Sequence, residues 1–112
     1  MHLVTAIVKA HQVESVTTAL KGIDVTGMTI SDVQGFGRQR GHTEVYRGSE
    51  FKVDFLPKVR IDVLCDTAHA DKIAEVIADA ARTGKIGDGK IWITEVARAI
   101  RIRTGETGDD AL

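Results

Sequence analysis

The spacing of apolar residues predicts four strands and two helices. Runs rich in β-branched residues predict strands, and apolar residues at i, i+3, i+4 and i+7 predict helices with one buried face. The predicted strands cover residues 2–8, 25–36, 59–65 and 91–96, and the predicted helices cover residues 12–21 and 69–82, the first ending at Gly22. This order, βαββαβ, predicts an α+β sandwich of the ferredoxin-like type with a long mobile loop after strand 2.

Both helices of such a fold lie on one face of the sheet, and the other face needs a cover. A wholly open four-stranded face is a liability for a chain in water. We therefore expect two or three copies of the chain to pack with their sheets facing inward.

Residues 37–57 fit none of the predicted helices or strands. A long irregular loop is uncommon in so small a domain and is usually functional or mobile. Glycines at positions 37, 41 and 48 are spaced through it and favour a change of conformation. The alternative is a solvated β-hairpin that extends from the domain.

The composition restricts the number of domains and the classes of partner. A chain of 112 residues is long enough for one domain with a modest core. Its formal net charge of −1 gives no global field that attracts nucleic acid or an anionic membrane. The single cysteine, Cys65, excludes an intrachain disulfide. With no signal-peptide pattern and no apolar run of about 18 residues, we expect a cytoplasmic location.

The segment "TGKIGDGK", residues 83–90, resembles a Walker A loop but lacks its context. Ile91 stands where that loop needs a hydroxyl for Mg²⁺, and a helix precedes the segment whereas a strand follows it. Gly84, Gly87 and Gly89 can still take positive φ and bring N–H groups close to phosphate oxygens. The segment therefore predicts either an anion-binding loop or an ordinary glycine-rich turn.

Positive charges in other loops can join this segment at an anion site. In "AIRIR" the arginines alternate with isoleucines, so an extended segment would project Arg101 and Arg103 from the same side. Charge-assisted hydrogen bonds contribute roughly 1.5–3 kcal/mol each, and three or four that converge suffice for about micromolar nucleotide binding. The other candidates are Arg38, Arg40, Lys58, Lys85 and Lys90.

Four segments, in this order, resemble successive signatures of the PII nitrogen-regulatory signal-transduction proteins (GlnB/GlnK type). They are "GMTISDVQGFGRQRGHTEVYRGSE", "VDFLPKVRI", "TGKIGDGKIWI" and "VARAIRIRTGE", and the similarity covers nearly the whole chain. The resemblance implies one PII-like domain over residues 1–112, with a T-loop at 37–55, a B-loop at 83–90 and a C-terminal segment at 101–112. It also implies a homotrimer that binds ATP or ADP competitively in three clefts between neighbouring subunits.

The resemblance assigns the nucleotide contacts to two neighbouring subunits. Gly37 and Arg38 would contact the nucleotide together with the B-loop, and Arg101 and Arg103 would reach in from the neighbour. Asp62 stands where relatives often have Glu, so we expect its contact with the nucleoside to pass through water. The implied nucleotide-binding set is Ile7, Thr29, Gly37, Arg38, Asp62, Leu64, Gly87, Asp88, Gly89, Lys90, Arg101 and Arg103, of which Ile7, Thr29 and Leu64 line the adenine pocket.

A second implied ligand is 2-oxoglutarate, bound with Mg²⁺ and the ATP phosphates. Gln39 would be the protein ligand to the metal, and Lys58 would pair with the distal carboxylate, with Gly41 and Gly87 also in contact. A dicarboxylate needs a cation at each end, and Mg²⁺ prefers oxygen ligands. Without a γ-phosphate the metal site is incomplete, so ADP and 2-oxoglutarate should oppose each other.

The T-loop would carry the signal to partner proteins, because Gln39 lies at its base and chelation there would reorganise it. The resemblance implies docking on an ammonium channel, with recruitment to the membrane, or on enzymes and regulators of nitrogen metabolism. Phe51 stands where relatives carry the modified tyrosine and has no hydroxyl, so we expect no nucleotidylation there. Ser49 matches a position that is phosphorylated in some relatives, and we expect it to be unmodified.

Three other functions remain open. The chain could be a nucleotide-binding trimer of this type that does not sense 2-oxoglutarate. It could be a weak ATP hydrolase with Glu44, Asp54 or Asp88 as the base, although nothing indicates an evolved catalyst and we expect no enzyme. An RNA-binding domain is disfavoured, because the third predicted strand, "KVRIDVLCD", has no aromatic residue for base stacking.

Overall fold

The computed structural model contains one four-stranded sheet, two α-helices and a separate two-stranded hairpin. It describes residues 1–37, 43–46, 49–52 and 55–112, with side chains described for 1–37 and 55–112. The elements are β1 (His2–Val8), α1 (Val13–Gly22), β2 (Thr29–Gly35), β3 (Thr43–Tyr46), β4 (Ser49–Lys52), β5 (Leu56–Cys65), α2 (Ala70–Ala81) and β6 (Lys90–Glu95). Short 3₁₀ turns lie at Ala10–Gln12, Thr67–His69 and Gly108–Ala111.

The main sheet has the strand order β2-β5-β1-β6, with all neighbours antiparallel. The first and third strands of the βαββαβ unit are therefore central, and the second and fourth are at the edges. This arrangement confirms the predicted α+β fold of the ferredoxin-like type.

The core lies between the two helices and one face of the sheet. Alternate residues of β1 and β5 point to this face, and α1 and α2 contribute the positions predicted by their helical spacing. The largest contributions come from Val4, Val8, Val16, Leu20, Ile61, Val63, Ile73 and Ile77, all 4% exposed or less.

The other face of the sheet carries a mixture of apolar and charged side chains. By the strand register, Ile7, Arg60, Asp62, Leu64 and Trp92 share it. Leu64 and Trp92 are 39% and 41% exposed, whereas both helices pack on the opposite face. A partly exposed apolar surface of this kind favours packing against further copies of the chain.

Helix α1 ends at Gly22, as predicted, but the chain does not enter the next strand directly after it. Asp24 is the residue with positive φ, at 65°. Its N–H donates to the carbonyl of Lys21 (3.1 Å), and the N–H of Val25 donates to that of Leu20 (3.1 Å), which is a Schellman motif. The turn continues past Gly22, so β2 begins at Thr29 and not at residue 25.

The third strand of the main sheet begins three residues earlier than predicted. Pro57 favoured a start after it, because proline has no N–H for a sheet. At this point β5 pairs with β2 alone, since its pairing with β1 begins at Val59, and an unpaired side tolerates the missing donor. The strand therefore runs from Leu56 and includes Lys58.

The segment predicted as a long irregular loop contains regular structure. Strand β3 pairs with β4 in register from Thr43↔Lys52 to Tyr46↔Ser49. The hairpin alternative therefore describes these eight residues, and the sequence missed it because the segment has no simple alternation of apolar residues. Residues 38–42, 47–48 and 53–54, which are also predicted to be mobile, lie outside the described residues.

Candidate functional site

The B-loop joins α2 to β6 and contains three residues with positive φ. Gly84, Gly87 and Gly89 have φ values of 82°, 94° and 103°, as the sequence predicted. At Gly89 a Cβ atom would lie 1.7 Å from the carbonyl oxygen of Ile7, so only glycine lets the loop pass this close to β1. The close approach fixes where the B-loop lies beside the end of β1.

Asp88 holds the B-loop closed from within. Its carboxylate accepts hydrogen bonds from the N–H groups of Thr83 (2.8 Å) and Gly84 (2.9 Å) and from the Thr83 hydroxyl. Lys9 forms an ion pair with it at 3.2 Å. These hydrogen bonds, led by that of the Thr83 hydroxyl, hold the pKa of Asp88 well below its usual range. Asp88 therefore positions the loop, and the N–H of Gly84 is already used.

Two lysines converge on Gly87. The Lys58 ammonium donates to the Gly87 carbonyl at 2.5 Å, and the side chain of Lys9 reaches the same glycine. Lys58 is only 8% exposed, and its burial, with the nearby Lys9 charge, lowers its pKa from 10.5. A buried lysine whose partners are a carbonyl and a distant carboxylate is suited to bind an anion.

A cavity of about 280 Å³ lies beside this loop and brings together the first group of predicted residues. It is lined by Ile7, Asp88, Gly89 and Lys90, together with residues at the end of α2 such as Arg82. Four of the twelve predicted nucleotide-binding residues thus meet at this end of the sheet. Gly87 directly precedes Asp88 of this lining, and the Lys58 ammonium donates a hydrogen bond to the Gly87 carbonyl.

A larger cavity of about 810 Å³ brings together a second group. Thr29, Asp62 and Leu64 line it with the loop before β2 and with Ala111 and Leu112. Thr29 and Asp62 are directly paired in the sheet, which explains why residues 33 positions apart meet here.

The Asp62 carboxylate has partners within the chain. It accepts hydrogen bonds from Thr5 Oγ1 (2.6 Å) and from Arg60 Nε (2.9 Å). Burial opposes its ionisation, but the bonds from Arg60 and Thr5 prevail and lower its pKa. Its position is therefore set by residues of the sheet. A ligand can contact this carboxylate only through the hydrogen-bond acceptor capacity that Thr5 and Arg60 do not use.

The predicted extended form of "AIRIR" is wrong. Residues 102–104 form a turn, and the N–H of Gly105 donates to the carbonyl of Arg101 at 2.8 Å. The N–H of Arg101 donates to the carbonyl of Glu106 at 2.8 Å, and Ile100 bridges to Thr107. The two arginines therefore do not project from the same side of a strand. The apolar alternation covers only four residues, and the turn residues "TG" that follow it were the better predictor.

The remaining predicted site residues fall at or inside the T-loop. Gly37 is described and exposed, directly before the undescribed stretch. Arg38, Gln39, Arg40 and Gly41 lie outside the described residues, and so do the side chains of Ser49 and Phe51. In the described part of the chain, no cluster of His, Cys, Asp and Glu could hold a metal ion, and no helix is long and apolar enough to cross a bilayer.

Four residues that shape these sites were not predicted from the sequence. Lys9 and Thr83 complete the network around Asp88, and Glu106 and Leu112 contact Arg101. Lys9 had a signal, because it directly follows a predicted strand. Nothing in the local pattern around Glu106 or Leu112 indicates a contact with Arg101.

The chain is similar to proteins of known role over its full length. A family model described as "Nitrogen regulatory protein P-II" matches residues 1–106. Nitrogen regulatory protein GlnK of Escherichia coli (strain K12) is 52% identical over 112 residues, which is all of both chains. Nitrogen regulatory protein P-II of Haemophilus influenzae is 51% identical and that of Rhizobium meliloti 49% identical, again over all of both chains.

Proposed function

Because the chain belongs to the P-II family of nitrogen regulatory proteins, we propose that it senses ATP, ADP and 2-oxoglutarate and signals through its T-loop. Its role is nitrogen-regulation signalling and not catalysis, since its relatives are named as regulatory proteins. The sensing, the ligands, the homotrimer and the docking of residues 37–55 are our proposal. The cytoplasm is the proposed location, with recruitment to the membrane by an ammonium channel or docking on nitrogen-metabolism enzymes or regulators.

The observation that carries the proposal is the division of the predicted nucleotide residues into two groups. Ile7 pairs with Lys90 at one end of β1, whereas Leu64 pairs with Leu3 near the other end. Four residues along a strand therefore separate Ile7 from the level of Leu64 by about 13 Å, whereas Asp62 pairs with Thr5, about 7 Å from Ile7. A nucleotide held between two protomers contacts the first group of one subunit and the second group of the next, as a head-to-tail ring requires.

The first group suits the phosphates. Asp88 fixes the B-loop, and Gly87 and Gly89 contribute backbone outside the hydrogen bonds of that carboxylate. Lys90, at the start of β6, adds positive charge to the cavity. Glycine amides and a lysine together favour phosphate oxygens.

The second group suits the nucleoside. Leu64 supplies an apolar surface next to Thr29, whose hydroxyl can take part in hydrogen bonding. Asp62 lies in the same cavity with its carboxylate already held by Thr5 and Arg60, which supports a contact through water. Arg101 and Arg103 would reach the phosphates of the neighbour's nucleotide.

2-Oxoglutarate fits beside Gly87, where two cationic side chains meet. Lys58 would exchange the Gly87 carbonyl for the distal carboxylate, and Lys9 adds charge on the same side. Gln39 would hold Mg²⁺, which supplies a positive charge shared by the ATP phosphates and the 2-oxo acid. Gln39 follows Gly37 by two residues, so Mg²⁺ binding by Gln39 would change the conformation at the base of the T-loop.

The structure disfavours the hydrolase alternative at one of its candidate bases. Asp88 accepts three hydrogen bonds, pairs with Lys9 and has a strongly lowered pKa, so it is a poor proton acceptor. The alternative of a nucleotide-binding trimer without 2-oxoglutarate sensing is decided by calorimetry.

Mixed trimers test the shared site. Lys90→Gln removes a charge from the first group, and Arg103→Gln removes one of the arginines proposed to reach in from the neighbour, so each variant alone should bind ATP weakly. Random co-assembly of equal amounts should restore about a quarter of the sites. A cleft is intact only when the Arg103→Gln subunit supplies Lys90 and its neighbour, a Lys90→Gln subunit, supplies Arg103. Co-assembly of either variant with itself is the control. If mixing restores no sites, the shared site is wrong.

A further inference from the structure

Arg101 is already occupied in the structure, and its partners come from the C-terminal segment. Its Nη1 lies 3.4 Å from Oε1 and 3.5 Å from Oε2 of Glu106, and its Nη2 donates to the backbone oxygen of Leu112 at 2.6 Å. We call this arrangement the Arg101 clamp. Both terminal nitrogens of the guanidinium therefore face oxygen atoms of the same chain.

The backbone of residues 99–108 holds Glu106 beside Arg101. Ile100 bridges to Thr107, the Arg101 N–H donates to Glu106 O, and the Gly108 N–H donates to Ala99 O at 3.2 Å. These bonds close a small hairpin. The clamp is therefore built by local structure and does not depend on a chance side-chain approach.

The clamp also reaches the second cavity. Leu112 and Ala111 line it together with Thr29 and Leu64, the residues proposed to bind the nucleoside. Leu112 thus contacts both the proposed base-binding surface and a proposed phosphate-binding arginine.

We propose that the Arg101 clamp is an internal competitor of the nucleotide, with Glu106 and the Leu112 oxygen standing in for phosphate oxygens. This inference rests on the proposed nucleotide function. A guanidinium binds phosphate through the same fork of N–H groups that it offers to a carboxylate. Nucleotide binding therefore has to displace Glu106 and Leu112, and the apparent affinity falls by the fraction of molecules with a free arginine.

The expected size of the effect is modest. Both side chains of the Arg101–Glu106 pair are partly exposed, at 37% and 43%, so solvent screens their attraction. Removal of the Glu106 charge should tighten ATP binding by about two- to fivefold. Release of the clamp on ATP binding would also move the C-terminal segment away from the second cavity.

Calorimetry with ATP on the full chain tests the clamp. Glu106→Gln keeps the shape of the side chain and removes its charge, and it should lower the Kd by about two- to fivefold. Asp109→Asn is the matched control, since it makes the same charge change at an exposed position of the same segment and should leave the Kd unchanged. If both variants lower the Kd equally, the cause is the change in net charge of the segment, and the clamp is wrong.

A second comparison separates the clamp from the proposed function. In an Arg101→Gln background, Glu106→Gln should no longer change the Kd, because the group that it occupies is gone. If the wild-type chain binds ATP and Glu106→Gln does not tighten it, the clamp is wrong and the proposed function stands. If the wild-type chain binds no ATP, the proposed function is wrong and the inference with it.

Discussion

At the scale of single residues, the B-loop shows how a few side chains fix the shape of a proposed binding surface. Gly89 lets the loop pass against the Ile7 carbonyl, and Asp88 gathers two N–H groups and a hydroxyl. Lys9 neutralises that carboxylate. The loop is thus held before any ligand arrives, so a ligand bears little of the cost of ordering it.

The close approach at Gly89 is tested by two alanine variants. Gly84→Ala adds only backbone strain, since nothing lies within 4 Å of its Cβ, and should lower the free energy of unfolding by about 1–2 kcal/mol. Gly89→Ala adds the same strain and a clash with Ile7, and should cost about 3 kcal/mol or more. Urea unfolding at one protein concentration measures both. Equal losses would contradict the close approach.

The lowered pKa of Lys58 predicts a pH dependence of 2-oxoglutarate binding. In the proposed site only the protonated ammonium would pair with the distal carboxylate, and burial moves its loss of the proton to a pH below 10.5. At saturating MgATP, the Kd for 2-oxoglutarate should therefore rise as the pH increases from about 7. The rise should begin at a pH below 10.5, where an ordinary lysine is still protonated.

Lys58→Arg is the control for that titration, because a guanidinium stays protonated over the whole range. In this variant any remaining binding should be independent of pH between about 7 and 10. A wild-type Kd that is equally flat would show that Lys58 does not pair with the ligand.

At the scale of elements, the ends of helices and strands decide which residues face the cavities. The Schellman motif at the end of α1 places residues 23–28 in a loop along the second cavity. The early start of β5 brings Lys58 into the sheet, from which its side chain reaches Gly87. Both sites thus depend on where an element begins or ends.

The Schellman motif predicts the effect of changes at Asp24. Its φ of 65° costs a residue with a Cβ more than it costs glycine. Asp24→Gly should be more stable than Asp24→Ala by about 1 kcal/mol. Thermal unfolding of both variants measures the difference. An alanine variant at least as stable as the glycine variant would contradict the left-handed conformation.

The sequence predicts elements with a long periodic face well and their ends poorly. The helices and the inward positions of β1 and β5 follow from spacing alone, because burial enforces it. The starts of β2 and β5 were predicted wrongly. Asp24 takes a conformation typical of glycine and extends the turn before β2, and Pro57 lies where β5 has only one neighbouring strand. The positive φ of the B-loop glycines was predictable, whereas the partners of Arg101 depend on a turn that alternation concealed.

At the scale of the whole molecule, the positions of the predicted site residues suit the proposed site shared between copies of the chain. The predicted residues line two cavities, and Ile7 of the first and Leu64 of the second lie about 13 Å apart along the sheet. The sheet face without helices carries Leu64 and Trp92 partly exposed, where further copies would pack. The proposed trimer joins both observations, since packing of the sheets would bring one group of each chain to the other group of its neighbour.

Calorimetric titration of 2-oxoglutarate into the protein saturated with MgATP or with MgADP tests the central claim most directly. The account predicts saturable binding with MgATP and little or none with MgADP, because only ATP carries the γ-phosphate that would complete the proposed Mg²⁺ site. Absence of binding with MgATP, or equal binding in both nucleotide states, would contradict it.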